Sequence, residues 1–328
     1  MLYRVAAAAS IICITHAAAQ QPPTIRVPVR LVSVPALVVS KGGKYVPGLS
    51  PNDFRLTDND RPQTITLDLA TLPISLVVAV QTDQDVRAYL GFIAKTGALL
   101  DDSLAAATGE AALITYNDEI TVAKPFGQGD LQTALKALSP SGYKANMVDA
   151  GMRAIELLKE RSSPRSRVLV FIGQPVESGS PGKIEALAAN AERENVQIYA
   201  LSLPIAGRAF VSDSFSLRGF GSQWYKGGYE ASVELTKAVP ALRRVAQASA
   251  HTDAFSLLTV ATGGIQLHFR RQKQLENAII GLGDALRGRY FLSYRPDRYD
   301  LGFHKIAVRV DVPGATVYAR PGYRIAAE

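Results

Sequence analysis

Leu76-Val77-Val78-Ala79-Val80 and Val168 to Ile172 are uninterrupted apolar runs of strand length, and a strand is apolar on every residue only where both faces of its sheet are covered. Ala111 to Tyr116 and Gln197 to Leu203 read as further strands. Between them apolar residues recur at helical spacing: Val86, Leu90, Ile93, Leu100 and Leu104, then Leu131, Leu135 and Leu138, then Met147 to Leu158, and a helix around Ile184 to Glu194. Strands alternating with helices of this length predict a doubly wound, Rossmann-like α/β sheet. Two more helical patterns, Val233 to Leu242 and Leu275 to Leu286, belong to the same region.

The two ends follow a different rhythm. From Ile25 to Leu69 the pattern is β-rich, with turn signals at Lys41-Gly42-Gly43-Lys44, which suggests a hairpin, and at Asn59-Asp60. The last stretch gives three strands, at Tyr290 to Tyr294, Lys305 to Val312 and Ala315 to Arg320, with Pro313-Gly314 as the last turn. Neither end has enough strands for a stable unit. The expectation is therefore one small β-sandwich formed by segments 20–70 and 289–328, with the α/β domain, 71–288, inserted between them.

The order of motifs resembles the VWFA-related domain family described in acidobacteria. Near the front the resemblance rests on Val46-Pro47-Gly48-Leu49-Ser50-Pro51-Asn52-Asp53-Phe54, then Asp58-Asn59-Asp60 and Pro62-Gln63. Near the end it rests on Ala261-Thr262-Gly263-Gly264, Tyr290 to Pro296 and Ala319-Arg320-Pro321-Gly322-Tyr323. It implies a von Willebrand factor A-like domain, a class that carries a metal-ion-dependent adhesion site at the carboxyl ends of its sheet strands. That site uses an Asp-x-Ser-x-Ser motif, a Thr on a second loop and an Asp on a third, the oxygen ligands a hard divalent cation prefers. Here the first loop has Gln81, Asp83 and Asp85, the second has Ala145 where the Thr belongs, and the third has Gln174 in place of the Asp. The resemblance thus implies a degenerate site and no cofactor. Asp83 and Asp85 leave two readings open: a non-standard cation site, as in a cation-dependent adhesin, or caps for the helix that follows.

Arg4, the apolar run Val5 to Ile14 and Ala17-Ala18-Ala19 before Gln20 form the three-part pattern of a signal peptide over 1–19, which predicts export to the periplasm or beyond the cell. The single cysteine, Cys13, lies inside it, so the mature chain would lack disulfides, Cys-ligated zinc and thiol nucleophiles. No other apolar run is long enough for a transmembrane segment. A net charge of +7 is spread without a basic tract or RNA-binding signature, which argues against nucleic acid as partner. His251, His268 and His304 have no paired metal spacing, and Ser178-Gly179-Ser180-Pro181-Gly182 is no nucleophile elbow. Asp101-Asp102 and Asp58/Asp60 read as solvated carboxylates. The chain is therefore expected to be no enzyme, with an enzyme of unrecognised groups as the alternative. The Gly- and aromatic-rich insertion at 204–228 supplies Phe220, Trp224 and Tyr225 as candidates for binding a protein or cell-envelope polymer, against a lid on the sheet or a flexible insert.

Overall fold

The computed structural model describes residues 31–41, 45–68, 72–105, 109–161, 165–205, 253–298 and 300–325. The segment 1–19 read as a leader, Cys13, His251 and the aromatic candidates Phe220, Trp224 and Tyr225 lie outside these residues. The strands in chain order are β1 (Val32–Val39), β2 (Phe54–Asp58), β3 (Arg61–Gln63), β4 (Thr66–Asp68), β5 (Ile74–Gln81), β6 (Glu110–Tyr116), β7 (Ile120–Lys124), β8 (Ser166–Gly173), β9 (Val196–Ser202), β10 (Gln266–His268), β11 (Tyr290–Tyr294), β12 (Gly302–Val310), β13 (Thr316–Ala319) and β14 (Gly322–Ile325). The α-helices are α1 (Arg87–Ile93), α2 (Gly97–Leu100), α3 (Leu131–Lys136), α4 (Met147–Lys159), α5 (Ile184–Arg193), α6 (Ala254–Thr262) and α7 (Gln272–Arg287).

The central sheet has six strands in the order β10-β9-β8-β5-β6-β7, parallel throughout except for β7. Alternate residues of β5 feed opposite layers. Leu76, Val78 and Val80 pack with residues of α1, α2, α3 and α7, whereas Val77 and Ala79 pack with those of α4, α5 and α6. This two-sided burial is what the uninterrupted apolar runs demand. The last strand, β7, was not foreseen. It is an edge strand that buries Lys124, whose Nζ donates to the Ala111 carbonyl at 2.6 Å, and it bulges at Ala123, which has no partner between the pairs Leu113–Lys124 and Ile114–Val122. An inward-pointing charge and a bulge are both devices that discourage a further strand from adding at an edge.

Strands from the two ends of the chain pair directly. One four-stranded sheet runs β13-β1-β11-β4 and the other β14-β12-β2-β3. Val34, Ala36 and Val38 of β1 join Phe54, Leu56, Leu292 and Ile306 in one core, while Leu37 and Val39 face the α/β layer. Residues 42–44 of the expected hairpin lie outside the described residues; among those described, its arms meet in one bridge between Val39 and Tyr45 and a Val46 N to Val38 O hydrogen bond of 3.0 Å, before Gly48 turns left-handed (φ 80°). Asn59 and Asp60, both at positive φ, make the tight β2–β3 turn that suits a two-residue hairpin.

The helical spacing from Val86 to Leu104 does not form one helix. It breaks into α1, a 3₁₀ turn, α2 and a π turn at 101–105. Gly97 lies directly against the Cα of Gln132, so α3 crosses there at a distance only glycine permits. Asp101, expected to be solvated, instead accepts from Leu131 N at 3.3 Å and Gln132 N at 3.2 Å, at the start of α3.

Candidate functional site

β8, β5 and β6 are neighbours and run in one direction, so the turns leaving their carboxyl ends meet on one side of the sheet. The segment between α3 and α4 crosses these turns and is bound to each. Ser141 N donates to Thr82 O at 2.8 Å and Gln84 N to Gly142 O at 3.1 Å. Tyr143 N donates to Asp118 Oδ2 at 2.8 Å and Ala145 N to Ser178 Oγ at 2.7 Å. This is the side on which open α/β sheets generally bind ligands.

Three of the five residues singled out form one hydrogen-bonded set. The Gln81 amide, at the end of β5, donates from Nε2 to Asp83 Oδ2 at 2.7 Å and accepts from Gln174 N at 2.6 Å through Oε1. The other Asp83 oxygen accepts from Asp85 N at 3.0 Å, capping a 3₁₀ turn over Gln84–Val86. Gln174 donates its own side-chain N–H to Pro204 O at 3.0 Å. Asp85 enters only through its backbone; its side chain is exposed. Ala145 is buried, is tied by its backbone N to Ser178 Oγ and has no side-chain oxygen to offer.

Asp83 is 1% exposed. Burial holds its carboxyl above the usual carboxylate range, and the hydrogen bonds from Gln81 and Asp85 pull against that. An amide side chain can do this because it is donor and acceptor at once. It gives the carboxylate a neutral partner on one side and ties the β8 turn on the other.

Two residues that sequence reading passed over complete the site. Glu177 accepts from Val148 N at 2.6 Å in the first turn of α4, from Gly179 N at 2.8 Å, and from Ser180 N at 2.7 Å and Ser180 Oγ at 3.0 Å. It caps a helix that lies far from it in sequence, so no local pattern could have announced the role. Tyr116, at the end of β6, is fully buried, and its hydroxyl finds no hydrogen-bond partner among the described residues. Burial first, then the charges of Asp83 and Glu177, push that hydroxyl well above the ordinary tyrosine range, so it stays protonated.

Gly173 ends β8 beneath this set. A Cβ there would stand 2.6 Å from both Gln81 Oε1 and Tyr116 Oη. Gly173→Ala is therefore expected to push the Gln81 amide out of place and to cost about 1–3 kcal/mol in urea unfolding.

Among the described residues, no group of three or more His, Cys, Asp and Glu side chains is placed to hold a metal ion, and no helix is long and apolar enough to cross a membrane. No family model and no curated protein matches the chain. Solved structures do. A conserved hypothetical protein BatB from Bacteroides thetaiotaomicron is 11% identical, covering 65% of this chain and 98% of that one, with a TM-score of 0.40. An aerotolerance-related membrane protein from Bacteroides fragilis is 15% identical, with coverages of 64% and 98% and a TM-score of 0.39. The vWF domain of the type V pili tip protein Mfa5 from Porphyromonas gingivalis is 17% identical, with coverages of 31% and 38% and a TM-score of 0.28. At these values no property of those proteins transfers to this chain.

Proposed function

We propose that this is an exported, non-catalytic protein-binding or adhesion-type module built on a von Willebrand A-like scaffold that works without a metal ion. The observation that carries the reading is the Gln81 side chain, which bridges Asp83 and the β8 turn at 2.7 and 2.6 Å. In the wider A-domain class an ion joins these turns, and here a neutral amide joins them. Both oxygens of Asp83 already accept N–H donors, and Ala145 and Gln174 stand where hydroxyl and carboxylate ligands would be needed. Degeneracy of the adhesion site follows from those substitutions.

In the same reading, the two four-stranded sheets form one small sandwich into which the α/β domain is inserted, and shared apolar packing between the sheets supports it. Exclusion of catalysis rests on the lack of a nucleophile–base motif in the sequence, and export on the pattern at 1–19. The partner class is a protein or a cell-envelope polymer, met at the carboxyl ends of the parallel strands.

A ligand that binds only the native state must raise the unfolding temperature by mass action. Thermal unfolding in EDTA and then in excess Mg²⁺, Ca²⁺ or Mn²⁺ is expected to give one unchanged midpoint. A saturable rise with any of the three would defeat the reading and put a cation-dependent adhesin in its place.

A further inference from the structure

We propose that this face receives its partner through a cationic side chain, an arginine or lysine of an extended peptide segment, that stacks on Tyr143 beside the carboxylates of Asp118 and Glu119. The inference rests on the reading of the face as a protein-binding surface and adds the partner's chemistry.

Tyr143 is 84% exposed, the most exposed large hydrophobic side chain among the described residues. Its backbone is nevertheless fixed. Hydrogen bonds from Ser141 N to Thr82 O, from Gln84 N to Gly142 O and from Tyr143 N to Asp118 Oδ2 tie the loop to the turns after β5 and β6. Gly142 is in the left-handed region (φ 77°), and a Cβ there would run into the Asp118 carboxylate. A ring held out on an anchored backbone loses little conformational freedom when covered, and aromatics so placed supply a large share of interface binding energy.

The charge around the ring selects the partner. The Asp118 carboxylate accepts from the Tyr143 backbone N at 2.8 Å, and Asp118 and the residue that follows it in the same turn, Glu119, are both exposed. Lys144, the adjacent cation, lays its stem over Gly179 in the β8 turn, where its Cδ would be 3.0 Å from a Cβ at that glycine. The chain as a whole carries +7, so a basic partner is repelled over most of the surface and accepted here. A cation over a phenol face flanked by carboxylates gains from both.

The test is fluorescence anisotropy of a labelled Arg/Gly dodecapeptide titrated with the purified chain, with a Glu/Gly dodecapeptide as control. The Arg/Gly peptide is expected to bind and the Glu/Gly peptide not. Tyr143→Ala is expected to weaken binding about fivefold, as is Glu119→Lys, while Tyr143→Phe retains it because the ring face is kept. Affinity within twofold of the parent in both Tyr143→Ala and Glu119→Lys overturns the proposal, as does equal binding of the acidic peptide. Concentration-dependent dimerisation abolished by Tyr143→Ala also overturns it, by giving the ring to a second copy. Loss of this proposal alone leaves the metal-free scaffold standing, since that reading is decided by the response to divalent ions.

Discussion

Asp58→Ala is expected to destabilise the chain by about 3–5 kcal/mol, the cost of leaving the partners of a buried carboxylate stranded. Asp58 ends β2 at 5% exposure and accepts from Tyr294 Oη at 2.9 Å and Tyr323 Oη at 2.8 Å. His304 Nδ1 lies 2.9 Å from its other oxygen, and His304 Nε2 lies 2.7 Å from the Asp300 carbonyl. Burial raises both tyrosine hydroxyls well above their ordinary range, so they remain donors and need this acceptor. The contacts also hold the fold's two ends together, because Asp58 comes from the front of the chain and its partners come from β11, β12 and β14. Asp58→Asn keeps one acceptor oxygen and should lose less. Urea unfolding checks both variants: the midpoint should fall with the slope unchanged. A loss under about 1 kcal/mol for Asp58→Ala would mean that the cluster is not holding the ends.

Gly264→Ala is expected to cost about 3 kcal/mol, the upper end for overpacking, because the obstacle is backbone and not a movable side chain. A Cβ at Gly264 would collide with the carbonyl of Ile198 in the middle of β9. Gly263 beside it caps α6 at φ 74° and abuts the backbone of Arg320 at 2.6 Å from its own would-be Cβ. Arg320 in turn donates to Asn195 Oδ1 at 3.0 Å and to Ser33 O at 2.8 Å. The two motifs at 261–264 and 319–323 are thus one structural joint between the α/β layer and the terminal sheets. Gly91→Ala is the control: nothing lies within 4 Å of its Cβ position in α1, so the variant should gain up to about 1 kcal/mol of helix propensity. Equal effects at Gly91 and Gly264 would contradict the packing account.

Much of the architecture could be read from β5 and β8, whose uninterrupted apolar runs demand a sheet covered on both faces, and from the helical spacing that flanks them. The three sequence-derived positions Gln81, Asp83 and Gln174 do come together. What escaped notice shares one physical cause, that local pattern does not report distant neighbours. Asp58 was read as a solvated turn residue. With Asn59 and Asp60 taking the turn positions, it stays in the strand and faces inward with Phe54 and Leu56. Tyr116 and Glu177 matter through strands and helices brought beside them by the sheet. The broken stretch from Val86 to Leu104 kept its buried face, and the crossing of α3 at Gly97 accounts for the interruption.

The central claim is that the Gln81 amide does at this face what a divalent ion would otherwise do, and calorimetric titration with Mg²⁺ and Ca²⁺ tests it most directly. The account predicts no saturable heat for the native chain. Micromolar uptake that disappears in Asp83→Ala would contradict it, and would show that Asp83 ligates a cation that the Gln81 amide does not replace.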